Sequence, residues 1–364
     1  MATFSGEYVI PRSSRDDGGA PDASVVIQVF GQSDVGRTRD HNEDSFLVAN
    51  LSRGEPVLFD RLVEQPADDA ATLFMVADGM GGAAAGEVAS ATAVDVVLRH
   101  LREAIGGRKS LTAADLVAAL TAAAEVANWS IFQQAVNRPE LRGMGTTATI
   151  AVLLGDRLFL AQVGDSRAYL VREGNATQLT KDQSLMQKLI EAGELTEEEA
   201  AHSERRNIIL QALGPEPSVK VDITEQPLRR DDVLILCSDG LSGLIRPEQI
   251  ATVIDEELDL SAACDRLIAM ANDVGGPDNI TVVAARFEGS GLQASRPDDE
   301  VRYRAFEDAV GDQVPAAEDV TQPWPAQAAV DEDRRRRGMI YSRIIAGIGV
   351  GILLWVAWRF FFSD

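Results

Sequence analysis

Two apolar runs in this chain each stop abruptly on an Asp-Gly pair. Residues 73–82 have the sequence LFMVADGMGG, and residues 233–240 have the sequence VLILCSDG. Short runs of branched and aromatic residues predict buried strands, because such side chains pack well on a pleated surface. A single Asp-Gly pair after a strand is explained by a tight turn, since Asp tolerates such turns and Gly supplies positive φ. Two copies, together with further acidic residues in similar settings, require a fuller explanation.

Between Val25 and Glu288 the chain alternates predicted strands with predicted helices. Runs rich in Val, Ile, Thr and Phe predict strands at residues 25–33, 72–78, 146–154, 157–164, 166–172, 232–239 and 279–287. Only a Gly-Asp pair separates the third and fourth runs, which predicts a hairpin and hence an antiparallel sheet. Two Ala-rich stretches, 84–105 and 112–137, have apolar residues at helical spacing and predict adjacent amphipathic helices. Hairpins and separate helical blocks favour an α+β fold over a Rossmann winding.

Composition excludes several classes of function. A formal net charge of −23 over 364 residues argues against a nucleic-acid partner, because phosphate binding needs surplus Lys and Arg. The two cysteines, Cys237 and Cys264, form no CxxC pair and cannot build a disulfide framework, which fits a reducing compartment. The three histidines are widely spaced, which argues against a histidine-based zinc site.

The remaining segments differ from the catalytic-sized domain predicted at residues 25–288. Residues 1–24 are rich in Ser, Asp, Gly and Pro without the apolar stretch of a secretory signal, and we predict a flexible arm. Residues 181–231 are polar and helical with Gly and Pro breaks; within them, 181–215 is predicted to form a surface flap. Residues 289–338 are rich in Pro, Ala and acidic residues and predict a disordered linker ending in a basic cluster.

The segment MIYSRIIAGIGVGILLWVAWRFFF, residues 339–362, is apolar apart from Ser342, Arg343 and Arg359. Its length matches the span of about 20 residues that a bilayer requires. We therefore predict one transmembrane helix, a C-terminal membrane anchor, with a buried core helix as the lesser alternative. Four arginines at 334–337 precede it, and the positive-inside rule then predicts that the domain at residues 25–288 lies in the cytoplasm.

Acidic residues recur at predicted strand ends and in adjoining loops. They are Glu43, Asp44, Asp78, Asp165, Asp239 and Asp278. If they converge at one sheet edge they need counter-charge, because neighbouring anions raise each other's pKa. Oxygen-only donors suit hard cations such as Mg²⁺ or Mn²⁺. Two such ions would lower the pKa of a bridging water, so that hydroxide becomes the nucleophile without a Ser, Cys or His.

Six motifs, in their order along the chain, resemble those of the PPM (type 2C) metal-dependent protein serine/threonine phosphatases, and of the bacterial members most closely. The motifs are SDVGRTRDHNEDS, FMVADGMGG, MGTTATIAVL, VGDSRAYL, LILCSDGL and GGPDNITVV. The resemblance runs from about Val25 to Phe287. It implies a central β-sandwich of two mainly antiparallel sheets flanked by helices. It also implies hydrolysis of phosphoserine and phosphothreonine in proteins at a binuclear Mn²⁺ or Mg²⁺ centre.

The resemblance also implies roles for individual metal ligands. Asp78 would bridge the two ions, and Glu43 together with the Gly79 carbonyl would bind the second ion. Asp239 and Asp278 would hold the first ion.

Further roles follow from the same resemblance. Asp165 matches the position that, with Asp239, holds a weaker third ion in bacterial relatives. Asp44 would hydrogen-bond metal-bound water, and Arg39 would grip the substrate phosphate as a bidentate fork. The implied reaction is a single in-line attack by bridging hydroxide, without a phosphoenzyme.

The general acid stays open in this sequence. Many eukaryotic members have a His, assigned to protonate the leaving alkoxide, at the position that Met80 occupies here. A metal-bound water is one alternative, and the nearby His41 is a weaker one.

Other functions fit the sequence less well. Cysteine-dependent phosphatases need Cys followed six residues later by Arg, and calcineurin-like enzymes need several metal-binding histidines; neither pattern is present. The non-enzymatic alternatives are a membrane-tethered pseudophosphatase that acts as a binding module and a structural adaptor. A pseudophosphatase would have lost metal acids, and none is lost here. The expected partners are phosphorylated proteins, with membrane Ser/Thr kinases and their targets as the natural candidates.

Overall fold

A computed structural model of the chain describes residues 24–51, 62–66, 71–81, 85–106, 108, 110–201, 203, 205, 207–296 and 298–306. The predicted arm lies outside these residues except for Ser24, which begins the first strand. Residues 307–338 of the predicted linker and the predicted membrane segment 339–362 also lie outside them. None of the helices in the described ranges is long and apolar enough to cross a membrane.

The described strands form two large antiparallel sheets and one short two-stranded ribbon. The first sheet has the order β10-β9-β12-β13-β1-β3, the second has β11-β8-β7-β4-β2, and β5 pairs with β6. The strands are β1 (Ser24–Asp34), β2 (Ser45–Asn50), β3 (Leu62–Pro66), β4 (Thr72–Ala77), β5 (Gly79–Met80), β6 (Gly145–Thr146), β7 (Ala148–Leu154), β8 (Arg157–Val163), β9 (Arg167–Arg172), β10 (Asn175–Gln178), β11 (Asp222–Pro227), β12 (Val233–Cys237) and β13 (Ile280–Glu288).

Helices cover the outer face of each sheet. The helices of the described residues are α1 (Ala85–Ile105), α2 (Ala113–Asn137), α3 (Leu185–Glu191), α4 (Glu197–Ala201), α5 (Asp239–Ser242), α6 (Pro247–Glu256) and α7 (Leu260–Asp273), with one 3₁₀ turn at Pro139–Leu141. Apolar side chains of α1 and α2 share one core with the second sheet, and those of α6 and α7 share another with the first sheet. A capping box between Thr112 and Asp115 begins α2, because it satisfies backbone donors that the first turn leaves free.

A third apolar core lies between the two sheets. Phe74 of β4 and Phe287 of β13 meet there edge to face, with ring centroids 6.1 Å apart. All six residues of β4 are buried, because the second sheet is covered by α1 and α2 on one face and by the first sheet on the other. The predicted sandwich of antiparallel sheets flanked by helices is confirmed.

Most predicted elements lie where the sequence placed them, and the misses have physical causes. The predicted hairpin is β7–β8, with Gly155 at φ +61° in the turn. Strands β2, β3, β10 and β11 had no prediction, and the last three are short or largely polar. Residues 222–227, inside the predicted polar helical segment 181–231, form edge strand β11, which pairs with β8. Asp239 begins α5 rather than ending a strand at 232–239.

The prediction of a disordered linker from residue 289 is wrong for the described residues up to 306. Leu292 is buried, and Val301 packs against the core between the sheets. The Phe306 amide donates to the Ile223 carbonyl at 3.0 Å, and the Glu225 amide donates to the Arg304 carbonyl at 3.0 Å. A few apolar anchors and backbone hydrogen bonds to β11 thus order a stretch of disorder-like composition. We name residues 298–306 the strap.

A pair of leucine substitutions tests the core between the sheets. Leu236 of β12 is 0% exposed, whereas Leu258 is 81% exposed. Leu236→Ala should lower the free energy of unfolding by about 2–5 kcal/mol, because it removes buried apolar atoms and leaves a cavity. Leu258→Ala should change it by less than about 0.5 kcal/mol. Denaturant unfolding of the purified protein measures both, and equal costs would contradict the assignment of the core.

Candidate active site

The antiparallel registers bring the acidic residues of the second sheet to one end of the sandwich. Ser45 at the start of β2 pairs with Ala77 at the end of β4. Glu43 and Asp44 come directly before that pair, and Asp78 comes directly after it. The three residues therefore lie at the same sheet edge.

The first sheet brings its acidic residues to the same end. Cys237 at the end of β12 pairs with Val282 near the start of β13 and with Arg167 at the start of β9. Three carboxylates adjoin these strand ends: Asp165, Asp239 and Asp278. Electrostatic repulsion links Asp44 with Asp239 and Asp278, and Asp78 with Asp44, Asp239 and Asp165. The structure thus joins the predicted acids of both sheets into one cluster.

Two hydroxyl groups hold the Asp44 carboxylate. Its Oδ2 accepts hydrogen bonds from Ser238 Oγ at 2.8 Å and from Thr281 Oγ1 at 2.6 Å. Its Oδ1 is buried and has no protein partner. Burial raises the pKa of Asp44 to about 7, the two hydroxyl groups oppose that rise, and Asp239 and Asp278 add to it. The sequence analysis did not identify Ser238 and Thr281, although both lie in the quoted motifs.

The backbone around Asp78 is fixed by the Thr-Thr pair that precedes β7. The Asp78 amide donates to Thr147 Oγ1 at 2.9 Å, and the Asp78 carbonyl accepts from Thr146 Oγ1 at 2.8 Å. The Gly79 amide donates to the Glu43 carbonyl at 3.2 Å. A Cβ atom at Gly79 would collide with that carbonyl and with the Gly86 carbonyl, so close backbone approach requires glycine here.

Burial, followed by mutual repulsion, raises the pKa values of the acids in the cluster. Burial, followed by the charge of Asp44 and then that of Asp239, raises the pKa of Asp78 well above its usual range. Asp239 hydrogen-bonds to Asp78, and burial followed by Asp278 raises the pKa of Asp239. Raised pKa values of buried carboxyl groups at such close quarters show that the protein alone supplies too little counter-charge to stabilise their ionised forms.

Asp165 lies beside the root of the predicted flap. Its Oδ1 is buried without a protein partner. Burial and then Asp239 raise the pKa of Asp165 to about 7, whereas Arg167 lowers it. The Arg167 guanidinium binds Asp182 with two nitrogens, Nε at 2.9 Å from Oδ1 and Nη2 at 2.7 Å from Oδ2.

Asn279 anchors the loop that carries Glu43. Its Oδ1 accepts from the Glu43 amide at 2.8 Å, and its Nδ2 donates to the carbonyls of Val35 and His41, each at 2.9 Å. The sequence analysis missed this role. The only available signal was the position of an amide side chain directly after Asp278, at the start of a buried strand.

The exposed rim of the cluster contains Arg39 and the two residues considered in connection with the general acid, His41 and Met80. Arg39 Nη2 donates to Asp278 Oδ2 at 2.8 Å, and the arginine side chain is 47% exposed. The His41 side chain is exposed, and Met80 is half-buried in the ribbon with β6. Arg39 therefore lies beside the acid cluster with its guanidinium partly in solvent.

The donor set fits a hard cation. No group of three or more Asp, Glu, His or Cys side chains in the described ranges has the arrangement that holds a metal ion as it stands. Two features nevertheless favour a cation. One is the pair of buried oxygens without protein partners, Asp44 Oδ1 and Asp165 Oδ1, and the other is the mutual repulsion of the surrounding carboxylates. Oxygen-only donors are those that Mg²⁺ and Mn²⁺ prefer.

Comparison with known proteins shows the family to which the chain belongs. A family model of protein phosphatase 2C matches residues 53–280, more than half of the chain. The serine/threonine phosphatase stp of Listeria monocytogenes is 36% identical over 252 residues, which are 69% of this chain and 92% of the relative. The serine/threonine protein phosphatase PstP of Mycobacterium tuberculosis is 38% identical over 263 residues, which are 72% of this chain and 45% of the relative.

Solved structures give the same result. The alignment with the crystal structure of the Mycobacterium tuberculosis phosphatase PstP covers 72% of this chain and 99% of the PstP chain, with 38% identity and a TM-score of 0.60. A crystal structure of the PstP catalytic domain in complex with two manganese ions has 37% identity, the same coverage and a TM-score of 0.59. The chain therefore belongs to the protein phosphatase 2C family.

The raised pKa values predict how stability depends on pH in metal-free protein. Asp44 and Asp165 have folded pKa values of about 7, above the ordinary carboxyl value, so the folded state binds more protons than the unfolded state between the two values. Stability should then fall as pH rises through that window. In chelator, the melting temperature at pH 5.5 should exceed that at pH 8 by about 5 °C or more.

Two substitutions separate this effect from the general acidity of the chain. Asp165→Asn should shrink the pH difference, whereas Asp95→Asn on the exposed face of α1 should leave it unchanged. Added Mn²⁺ should also shrink it. Greater stability of the metal-free protein at pH 8 than at pH 5.5 would contradict the account.

Proposed function

We infer that this chain is a protein serine/threonine phosphatase that depends on Mn²⁺ or Mg²⁺. The observation that carries the inference is the convergence of acidic residues from both sheets at one end of a protein phosphatase 2C fold. Relatives at 36–38% identity are named serine/threonine phosphatases, and one of them has been crystallised with two manganese ions.

The ligand assignments are part of this proposal. The charges of acids from both sheets act on Asp78, those of Asp44 and Asp239 most strongly, which supports its role as the bridge between two ions. Glu43 and the Gly79 carbonyl would bind the second ion, and their backbones are already joined by a hydrogen bond.

The remaining acids complete the assignment. Asp239 and Asp278 would hold the first ion. Asp165 would contribute, with Asp239, to a third and weaker site, and its unpartnered Oδ1 supports that role.

When bound, the ions lower the pKa of water and stabilise negative charge on the phosphoryl group. The protein orients the remaining participants. Ser238 and Thr281 occupy Asp44 Oδ2, which leaves Oδ1 free to accept a hydrogen bond from the attacking water. A carboxylate fixed in this way holds the water in line with the phosphoester bond without a rotational search.

Arg39 would bind the substrate phosphate. Its guanidinium directly contacts Asp278, an acid of the proposed ligand set, and is partly exposed to solvent. The planar guanidinium can donate hydrogen bonds to two phosphate oxygens. If phosphate replaced Asp278 as its partner, Arg39 would still be paired with an anion.

A pseudophosphatase that serves only as a binding module is the alternative. It would lack one or more of the metal acids. All six carboxylates adjoin the same end of the sandwich, which favours the enzyme.

We also propose that residues 339–362 form a single-pass membrane anchor and that the catalytic domain faces the cytoplasm. The support is the length and apolar character of that segment and the four arginines before it. A tethered phosphatase meets phosphorylated proteins close to the bilayer, so membrane Ser/Thr kinases and their targets are the proposed substrates.

Replacement of one acid tests the cation requirement. The protein should hydrolyse a phosphothreonine peptide with Mn²⁺ or Mg²⁺ and lose that activity in excess chelator. Asp239→Asn should lower kcat by at least about a hundredfold, because the first ion loses an anionic ligand. Asp95→Asn on α1 is the matched control. Parent-level turnover by Asp239→Asn, or full activity in chelator, would refute the proposed roles.

Replacement of Arg39 separates phosphate binding from ion binding. Arg39→Ala should raise KM for phosphopeptide and lower kcat/KM by about ten- to a hundredfold, the value of a charge-assisted contact. Mn²⁺ affinity should not fall, because Asp278 loses a competing partner. Arg99→Ala on the exposed face of α1 is the control. Unchanged KM and kcat would show that another basic residue binds the phosphate, and Arg37 would be tested first.

Cell fractionation tests the anchor. The full chain should remain with membranes in high salt, because burial of an apolar span is not an electrostatic attachment. A chain truncated after Asp333 should be released and keep its activity on peptides. In inside-out vesicles, added protease should digest the catalytic domain. Protection of that domain, or release of the full chain by salt alone, would contradict the proposal.

A further inference from the structure

The strap, residues 298–306, extends the domain past the last strand of the sandwich and crosses to β11. It pairs with β11 through the two backbone hydrogen bonds described above, and Phe306 packs against Phe159 with ring centroids 6.0 Å apart. Arg229 forms two hydrogen bonds of 2.7 Å to Asp299. The strap is thus held at both ends.

Tyr303, between those two anchor points, contacts the start of the predicted flap. Lys181 Nζ lies 4.7 Å from the centroid of the Tyr303 ring, within the range of a cation–π interaction. The same ammonium group forms an ion pair of 3.3 Å with Glu191 at the end of α3. Lys181 therefore joins the strap to α3. We name residues 181–191 the flap root.

The flap root is bonded in turn to the loop that carries Asp165. Asp182 receives the bidentate contact from Arg167, two residues after Asp165. Gln183 makes two hydrogen bonds to Gly164: its amide donates to the Gly164 carbonyl at 2.8 Å, and its Oε1 accepts from the Gly164 amide at 3.0 Å. A continuous set of contacts therefore runs from Tyr303 to the edge of the acid cluster.

We propose that Tyr303 is a positioning residue that holds the flap root against the Asp165 loop for the binding of phosphoprotein substrates. This inference rests on the proposed phosphatase site and deepens it. A phosphoprotein touches the surface around the acid cluster, whereas a small aryl phosphate touches only the cluster. The strap therefore acts on binding of the larger substrate.

Hydrogen exchange of the full chain in detergent measures the flap root directly. Tyr303→Ala should speed exchange of the amides of residues 183–191 about two- to fivefold, as expected for loss of a weak, half-exposed contact. Tyr303→Phe keeps the ring and should exchange like the parent protein. Arg302→Ala is the control, because its exposed side chain bonds to Glu300 within the strap. A Tyr303→Ala and Lys181→Met double variant should exchange no faster than the faster single variant.

Kinetics supply the functional measurement. Tyr303→Ala should raise KM for a phosphothreonine peptide about two- to fivefold, while kcat and KM for an aryl phosphate stay unchanged. Tyr303→Phe should restore KM. Melting temperatures of the variants establish that each is folded.

Two results would overturn the inference. One is a Tyr303→Ala variant that matches Arg302→Ala in both exchange and KM; the other is a Tyr303→Phe variant as defective as Tyr303→Ala. If the parent protein hydrolyses neither substrate with Mn²⁺, the proposed function fails, and the exchange measurement alone still decides whether Tyr303 positions the flap root.

Discussion

Repulsion among carboxylates at one end of the sandwich is the constraint that the site is built around. Burial raises the pKa of Asp78 and Asp239, and the charge of Asp239 raises the pKa of Asp78 further. The protein offsets part of that cost with neutral donors, such as the hydroxyl groups of Ser238 and Thr281 on Asp44. Divalent cations would supply the remaining counter-charge. Binding of such cations explains why the fold places acidic residues together in a protein that is already acidic.

The sequence predicted the parts of this arrangement that leave a strong local pattern. An apolar run that ends on Asp-Gly occurs twice, at Asp78 and at Asp239, and the repetition together with further acids indicated more than a tight turn. Neutral scaffold residues leave no such pattern. Asn279 fixes the Glu43 loop through three hydrogen bonds, yet an asparagine at the start of a strand is unremarkable in composition. The contacts of Arg167 with Asp182 could not be predicted either, because spacing in the sequence does not show the path of a loop.

The strap shows where composition misleads. Residues 289–306 are rich in charged and small residues, which favours a prediction of disorder. Order there depends on a few apolar groups, among them the buried Leu292 and the partly buried Phe306, and on an edge strand with backbone groups available for pairing. Such edge pairing joins residues far apart in the sequence, and neither segment has a local pattern that predicts it. The strap lies beside the flap root, where it bears on the binding of phosphoprotein substrates.

Anomalous diffraction from crystals grown with Mn²⁺ tests the central claim most directly. The account predicts two manganese peaks at the carboxylate end of the sandwich, both within coordination distance of Asp78, one beside Asp239 and Asp278 and the other beside Glu43 and the Gly79 carbonyl. A peak beside Asp165 would add the third site. Crystals with Mn²⁺ elsewhere on the surface, and no peak near Asp78, would contradict the account.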